Sequence, residues 1–139
     1  MANGLFASYR TLTLTTGLNV TTLAIKGMFV DNADDTAVLA TDDFIDDIAS
    51  AARVPAEAST PTLTTPTAGS IAAGVFNADD LVFTSLSGDQ VEQLILYEDS
   101  GTESTSDLLA MWDTATGIPL TPNGGNVTVV WSASGIYTF

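Results

Sequence analysis

The second half of the chain is a cadence of short apolar runs cut by turn residues, and this limits the fold more than any other feature. Ile71–Phe76, Leu81–Leu86, Val91–Tyr97, Leu108–Trp112, Val127–Trp131 and Ile136–Phe139 are the runs. Between them lie Asn77–Asp80, Ser87-Gly88-Asp89, the Ser/Thr/Gly-rich 98–105 and a long irregular stretch holding Gly117, Pro119, Pro122 and Asn123-Gly124-Gly125. Strands recurring about every ten to fifteen residues with turn chemistry between them predict a mainly β fold, an antiparallel β-sandwich or barrel-like sheet. Leu94, Ile95, Leu96 and Tyr97 form an unbroken apolar run, as in a central strand covered on both faces. Ser134-Gly135 predicts a tight hairpin turn between the last two runs.

The first half is less regular. TLTLT alternates Thr with Leu12 and Leu14, a period of two that suits a strand, and Gly17 and Asn19 supply a turn. Leu23, Ile25, Gly27 and Phe29 then point one way while Ala24, Lys26, Met28 and Val30 point the other. Gly27 marks a bulge or a close backbone approach. One short amphipathic helix is expected over about 41–53. Thr41 is its N-cap, and Asp42 and Asp43 occupy the first turn. Phe44, Ile45, Ile48 and Ala52 share one face, Asp42, Asp43, Asp46 and Asp47 share the other, and Arg53 and Pro55 close it. Residues 55–70, rich in Pro and Thr, read as an edge segment or surface loop, with Pro61 and Pro66 bracketing TLTT. The 139 residues fit a single β-rich domain, 1–139, with 1–20 as an N-terminal arm or edge strand.

Composition narrows the chemistry. Seventeen acids face three bases, Arg10, Lys26 and Arg53, for a formal charge of -14. That field repels phosphate backbones and anionic lipid, so no nucleic-acid and no membrane-surface partner is expected. Histidine and cysteine are both absent, which removes Ser-His-Asp and Cys-His catalysis, the common zinc sites, thiol redox chemistry and disulfides. No secretory signal is read at the N-terminus. No apolar run approaches the roughly 20 residues that span a bilayer, which predicts a soluble product. No glycine pattern cradles a phosphate, so no cofactor is expected. Asn19-Val20-Thr21 and Asn126-Val127-Thr128 match the glycosylation pattern but carry no meaning without a signal.

Three groups of residues deserve a functional reading beside a structural one. Asp31, Asp34 and Asp35 precede the helix-face aspartates, and hard cations want several such oxygens. DNADD nevertheless lacks the glycine and the terminal glutamate of a calcium loop, so a solvated acidic face is preferred to a bound Ca2+. Paired carboxylates can hydrolyse glycosides, yet every Asp and Glu is explained by a turn, a cap or an exposed face. Trp112 and Trp131 are expected to fill the core with each indole N–H on a backbone group, with ligand stacking as the competing role. Tyr137 and Phe139 either complete the sheet or dock on a neighbouring subunit. Structure or binding is therefore expected ahead of catalysis, and no catalytic residue is assigned.

Over residues 26–139 the chain resembles a group of small structural proteins encoded by tailed bacteriophages. The resemblance rests on an ordered series of phrases: LATDDFIDDI with AARV, GVFNADDLVFT, the LSGDQ and LYEDSG turns, and TATGIPLTPNGG followed by VTVVW. Such proteins open with an amphipathic stretch suggesting a helix, whereas TLTLTTGLNVTTL here reads as strand and turn. The resemblance implies a non-enzymatic, head-associated virion protein, made in the host cytoplasm. Its implied role is capsid decoration or cement, with the major capsid protein or another virion protein as partner. It carries over no catalytic or metal residue. Particles built by symmetry make a homo-oligomer the expected state, and the negative charge predicts a docking surface that is apolar or faces a basic partner. Two alternatives stand beside it. One is a neck, head-fibre or tail component with the Thr-rich 98–106 or 57–70 turned outward. The other is a carbohydrate-binding module, which requires a cleft lined by Trp112 or Trp131 with carboxylates nearby.

Overall fold

In a computed structural model, which describes residues 3–17, 19–55, 59–64 and 75–138, the run Leu94–Tyr97 lies at the centre of a sheet. The described elements are β1 (Gly4–Leu5), α1 (Ala7–Thr16), β2 (Ile25–Val30), β3 (Arg53–Val54), β4 (Val75–Phe76), β5 (Leu81–Phe83), β6 (Gln93–Glu98), β7 (Leu108–Trp112), β8 (Val127–Val129) and β9 (Tyr137–Thr138). Five strands form an antiparallel sheet in the order β1-β7-β6-β2-β3, and β4 with β9 and β5 with β8 form two antiparallel ribbons. The fold is mainly β, as the cadence predicts. Among the described residues no helix is long and apolar enough to cross a membrane.

Successive residues of a strand face opposite ways, so the register sorts the sheet into two surfaces. Phe29, Leu94 and Trp112 are cross-strand partners on one, with Gly27, Leu96 and Ala110 beside them. Met28, Ile95, Met111 and Gly4 are partners on the other. The first surface is covered by the β5–β8 ribbon. A Cβ placed on Gly27 would overlap Leu81 Cδ2, and the Phe29 and Phe83 rings lie 4.6 Å apart. Gly27 is thus a close approach between layers. The second surface is covered by residues 31–52. There the buried Gln93 amide grips one residue twice, accepting from Ala37 N at 3.0 Å and donating to Ala37 O at 3.1 Å. A Cβ on Gly4 would stand 3.5 Å from Leu39. Alongside β2, Lys26 bridges to Thr62, Gly27 N donates to Pro61 O, and Leu63 N donates to Ile25 O. Ala56–Ala58 and Thr65–Gly74, with Pro66 and the start of the 71–76 run, lie outside the described residues.

Three local expectations are corrected. The TLTLT segment is helical, not extended, within α1. Its anchors are Phe6 and Tyr9, both fully buried at a spacing of three, while Leu14 is 88% exposed. The alternation therefore does not mark a buried face. The hydroxyls of Thr11, Thr13, Thr15 and Thr16 donate to carbonyls three or four residues back, which satisfies them within the helix. Gly17, at φ 66°, ends it in the left-handed conformation.

The helix expected over 41–53 is replaced by two 3-10 turns, Ile45–Asp47 and Ser50–Ala52. Short aspartates offer the backbone other partners. Asp47 Oδ2 accepts from the amides of Asp43 and Phe44, and Phe44 bridges to Asp107 in extended conformation. Ile45, Ile48 and Ala52 are nonetheless fully buried, so the apolar face survives the change of backbone. Arg53 ends up in β3, donating through Nε and Nη2 to Ile48 O and paired with Glu103 at 3.0 Å.

The hairpin expected at Ser134-Gly135 is only a turn, with Gly135 N donating to Ser132 O. β8 ends where Asp80 Oδ1 accepts from Trp131 N, and Ile136 N then donates to Phe76 O, so the chain crosses to β4.

Gly27→Val should lower stability by about 1–3 kcal/mol through overpacking, read as a fall in the urea midpoint. Leu81→Ala alone should cost about 2–5 kcal/mol. The double variant should lose less than the sum, because the new valine fills the space that Leu81 vacates. Strict additivity would show that the two positions do not compete for volume.

Candidate functional site

Trp112 and Trp131 meet where the ribbon lies on the sheet, their rings 5.5 Å apart and inclined at 48°. β7 places Trp112 beside Leu94. Trp131, two residues beyond β8, is fixed by Nε1 donating to Asp79 O at 3.1 Å and by its backbone bond to Asp80. The indole of Trp131 therefore has the backbone partner expected of it. Neither ring is in the closed core, however. Both are half-buried at its rim, because the ribbon has too few strands to cover them.

A groove opens on each side of this pair. The larger, about 610 Å3, runs between β8 and the 115–120 loop, with Phe29 and Leu94 at its base and Ile118, Leu120 and Trp131 in its walls. Among the described residues no titratable side chain lines it. Its loop wall is held by two bonds, Val91 N to Leu120 O at 2.8 Å and Leu120 N to Val91 O at 2.9 Å. The smaller groove, about 420 Å3, is lined by Arg10, Trp112 and Tyr137 beside Gly4 and Leu5. Lys26 and Arg53, the other two bases, are paired with Asp99 and Glu103.

Tyr137 packs at this second groove by stacking on Phe76 at 5.0 Å, and its hydroxyl lies 2.8 Å from that of Tyr9. Burial pushes the Tyr9 hydroxyl up to about 12, against the opposing bond from Tyr137, and burial pushes Tyr137 higher still. Both stay neutral at physiological pH and serve as hydrogen-bonding groups. The sequence left Tyr137 between completing the sheet and docking; it does complete a ribbon, while Phe139 lies outside the described residues.

The acidic residues singled out as a calcium cluster are turned to the backbone. Asp31 Oδ1 accepts from Ala33 N at 2.8 Å. Asp35 accepts from Thr36 N through Oδ1 and from Ala49 N through Oδ2, at 2.8 and 2.7 Å. Asp34 is exposed. Asp42 Oδ2 accepts from Val38 N at 2.7 Å. Among the described residues no three such side chains are gathered to hold a metal ion. Asp31 and Asp35 thus shape turns across the second surface of the sheet, and Asp34 faces solvent.

A different acidic group escaped the sequence reading. Glu98, Asp107 and Asp43 meet where β6 and β7 begin to part, with Glu98 N donating to Asp107 O and Leu108 N to Asp43 O. Burial raises the Glu98 carboxyl and the charge of Asp107 raises it further; burial and then Asp43 do the same to Asp107. They lie far apart in sequence, and only strand register unites them. None of them lines either groove. The grooves themselves offer shape, aromatic faces and one guanidinium, which is equipment for binding.

No family model matches this chain, and no curated protein matches it.

Two measurements follow from the carboxylates. Glu98 has its pKa raised above the ordinary 4.5, so its stabilising contribution is present below that value and lost as pH rises through the folded one. Glu98→Gln should therefore melt higher than the parent at pH 7, with the difference vanishing in acid; a lower melt at pH 7 would contradict this. Asp35→Ala should cost about 1 kcal/mol by removing the acceptor of the Thr36 and Ala49 amides. Calcium or a chelator should leave the parent's melting temperature unchanged.

Proposed function

We propose that this chain is a non-catalytic structural protein of a tailed-bacteriophage virion, and that it decorates the capsid shell. The observation that carries this reading is where the shared phrases fall. GVFNADDLVFT spans β4 and β5, LYEDSG spans the end of β6 and its turn, and VTVVW spans β8 and Trp131. TATGIPLTPNGG supplies the loop wall of the larger groove. With LATDDFIDDI and AARV on the segment that covers the other surface, the resemblance takes in both covers of the sheet and the groove at the ribbon's border. Helix α1 adds support, since an N-terminal helix is what such proteins are expected to have and the strand reading of TLTLT had set this chain apart.

In this role the chain works by surface and stability. It binds the major capsid protein or another virion protein, acts in many copies as a homo-oligomer, and resides in the particle after synthesis in the host cytoplasm. A charge of -14 keeps free copies apart in solution and leaves apolar patches as the natural contacts. A neck, head-fibre or tail position is the alternative within the virion. The Trp112–Trp131 pair beside a groove favours a carbohydrate-binding module as a second reading, but among the described residues no carboxylate lines that groove.

The deciding experiment is the copy number of this chain relative to the major coat protein in purified particles, by quantitative mass spectrometry. Decoration predicts a ratio near that of the coat protein or a simple fraction of it. A few copies would move the chain to the neck or tail, and absence from the particle would reject every virion role.

A further inference from the structure

We propose that the larger groove is a docking slot for an extended, uncharged segment of a different protein, which adds as a strand alongside β8. The inference gives the virion reading its contact surface and rests on that reading only for which protein supplies the segment.

Three features of the groove converge here. First, β8 pairs with β5 on one side, and its other side carries no strand among the described residues. An unpaired edge is a template for a further strand, with main-chain bonds giving affinity and side-chain pockets giving selectivity. Second, all of β8 together with Val130 lines the groove, so an added strand would lie in it rather than over open solvent. Val130 is 72% exposed, an unusual state for a valine that borders an apolar floor. Third, both walls are fixed beforehand: the loop by the paired bonds between Val91 and Leu120, and the far end by the two bonds that hold Trp131. A preformed slot lowers the ordering cost of binding.

Charge selects the occupant. Among the described residues the lining carries no ionisable group although the chain has 17 acids, so the segment's centre must be uncharged. A second copy of this chain would bring another -14 to this groove, which disfavours it as the occupant and leaves the homo-oligomer contact to another surface. A partner with basic residues flanking an apolar strand meets both conditions, since a flank at the Trp131 end would face the exposed Asp79 and Asp80.

The probe is a short synthetic peptide of alternating valine and threonine with lysines at both ends, titrated into the full chain. Tryptophan emission and the amide resonances of Val127–Val130 report binding. The expected result is saturable binding that Val130→Asp weakens by about tenfold or more. Thr116→Asp, on the exposed opposite wall, should do the same and guards against misfolding of the first variant. Val82→Asp should leave affinity unchanged, because Val82 is 43% exposed on the same ribbon but does not line the groove. A peptide N-methylated at alternate residues should bind far more weakly, since it cannot pair with an edge. The proposal is overturned by any of four results: no saturable binding, equal binding of the methylated peptide, equal loss in Val82→Asp, or self-association of the parent that Val130→Asp abolishes. The methylated-peptide result would mark a pocket for small apolar ligands, and the last would make a second copy the occupant. None of these outcomes bears on the copy number in particles, so the two readings fail separately.

Discussion

Gly27 has no side chain, and the second layer of the fold lies in the space where one would be. Leu81 and Phe83 enter that space and bring the β5–β8 ribbon down onto β2 and β6. Everything at the rim follows from this contact. The ribbon is two strands wide over a sheet of five, so it covers the middle and leaves the borders half-covered. Trp112 and Trp131 lean together at one such border, and both grooves open beside them. A wider second layer would have closed the core and removed the binding surface with it.

The opposite surface is covered by other means. Residues 31–52 contain few hydrogen-bonded elements of their own, and their order comes from side chains that act as backbone partners. Gln93 holds Ala37 by both of its amide atoms, Asp35 reaches Ala49, and Asp47 gathers two amides. The surplus of acid that makes the chain repel phosphate is here a set of turn-forming acceptors. Arg53 answers it from β3, satisfying the Ile48 carbonyl from inside the core and Glu103 at its edge.

Much of the sheet was legible because burial leaves a simple trace. Leu94–Tyr97 is apolar on both sides of the strand because both sides are covered, and Gly27 stood out as a glycine inside such a strand. Ile45, Ile48 and Ala52 were correctly read as inward-facing, since a 3-10 turn and an α-turn bury nearly the same positions. α1 was misread because threonine carries a strand-like signature, and its hydroxyl bonds to the preceding turn are invisible to a pattern of polarity. The larger groove draws on β2, β6, β8 and the 115–120 loop. No spacing within any one of them encodes a cavity. Only the two tryptophans hinted at it, and they were assigned to the core. The Glu98–Asp107–Asp43 group is likewise a product of register between distant segments.

The bond between Tyr9 and Tyr137 joins residues 128 positions apart. It ties α1 to β9, and β9 in turn completes β4 beneath the Phe76 ring. During synthesis the helix emerges before the partner that will cover Tyr9, which follows 128 positions later. Closing so long a loop is slow relative to local pairing. The central β2–β6–β7 strands can therefore assemble before α1 and β9 are joined. A chain stalled or cut short of Tyr137 would leave Tyr9 and Phe76 uncovered, an apolar surface for chaperones or proteases to recognise.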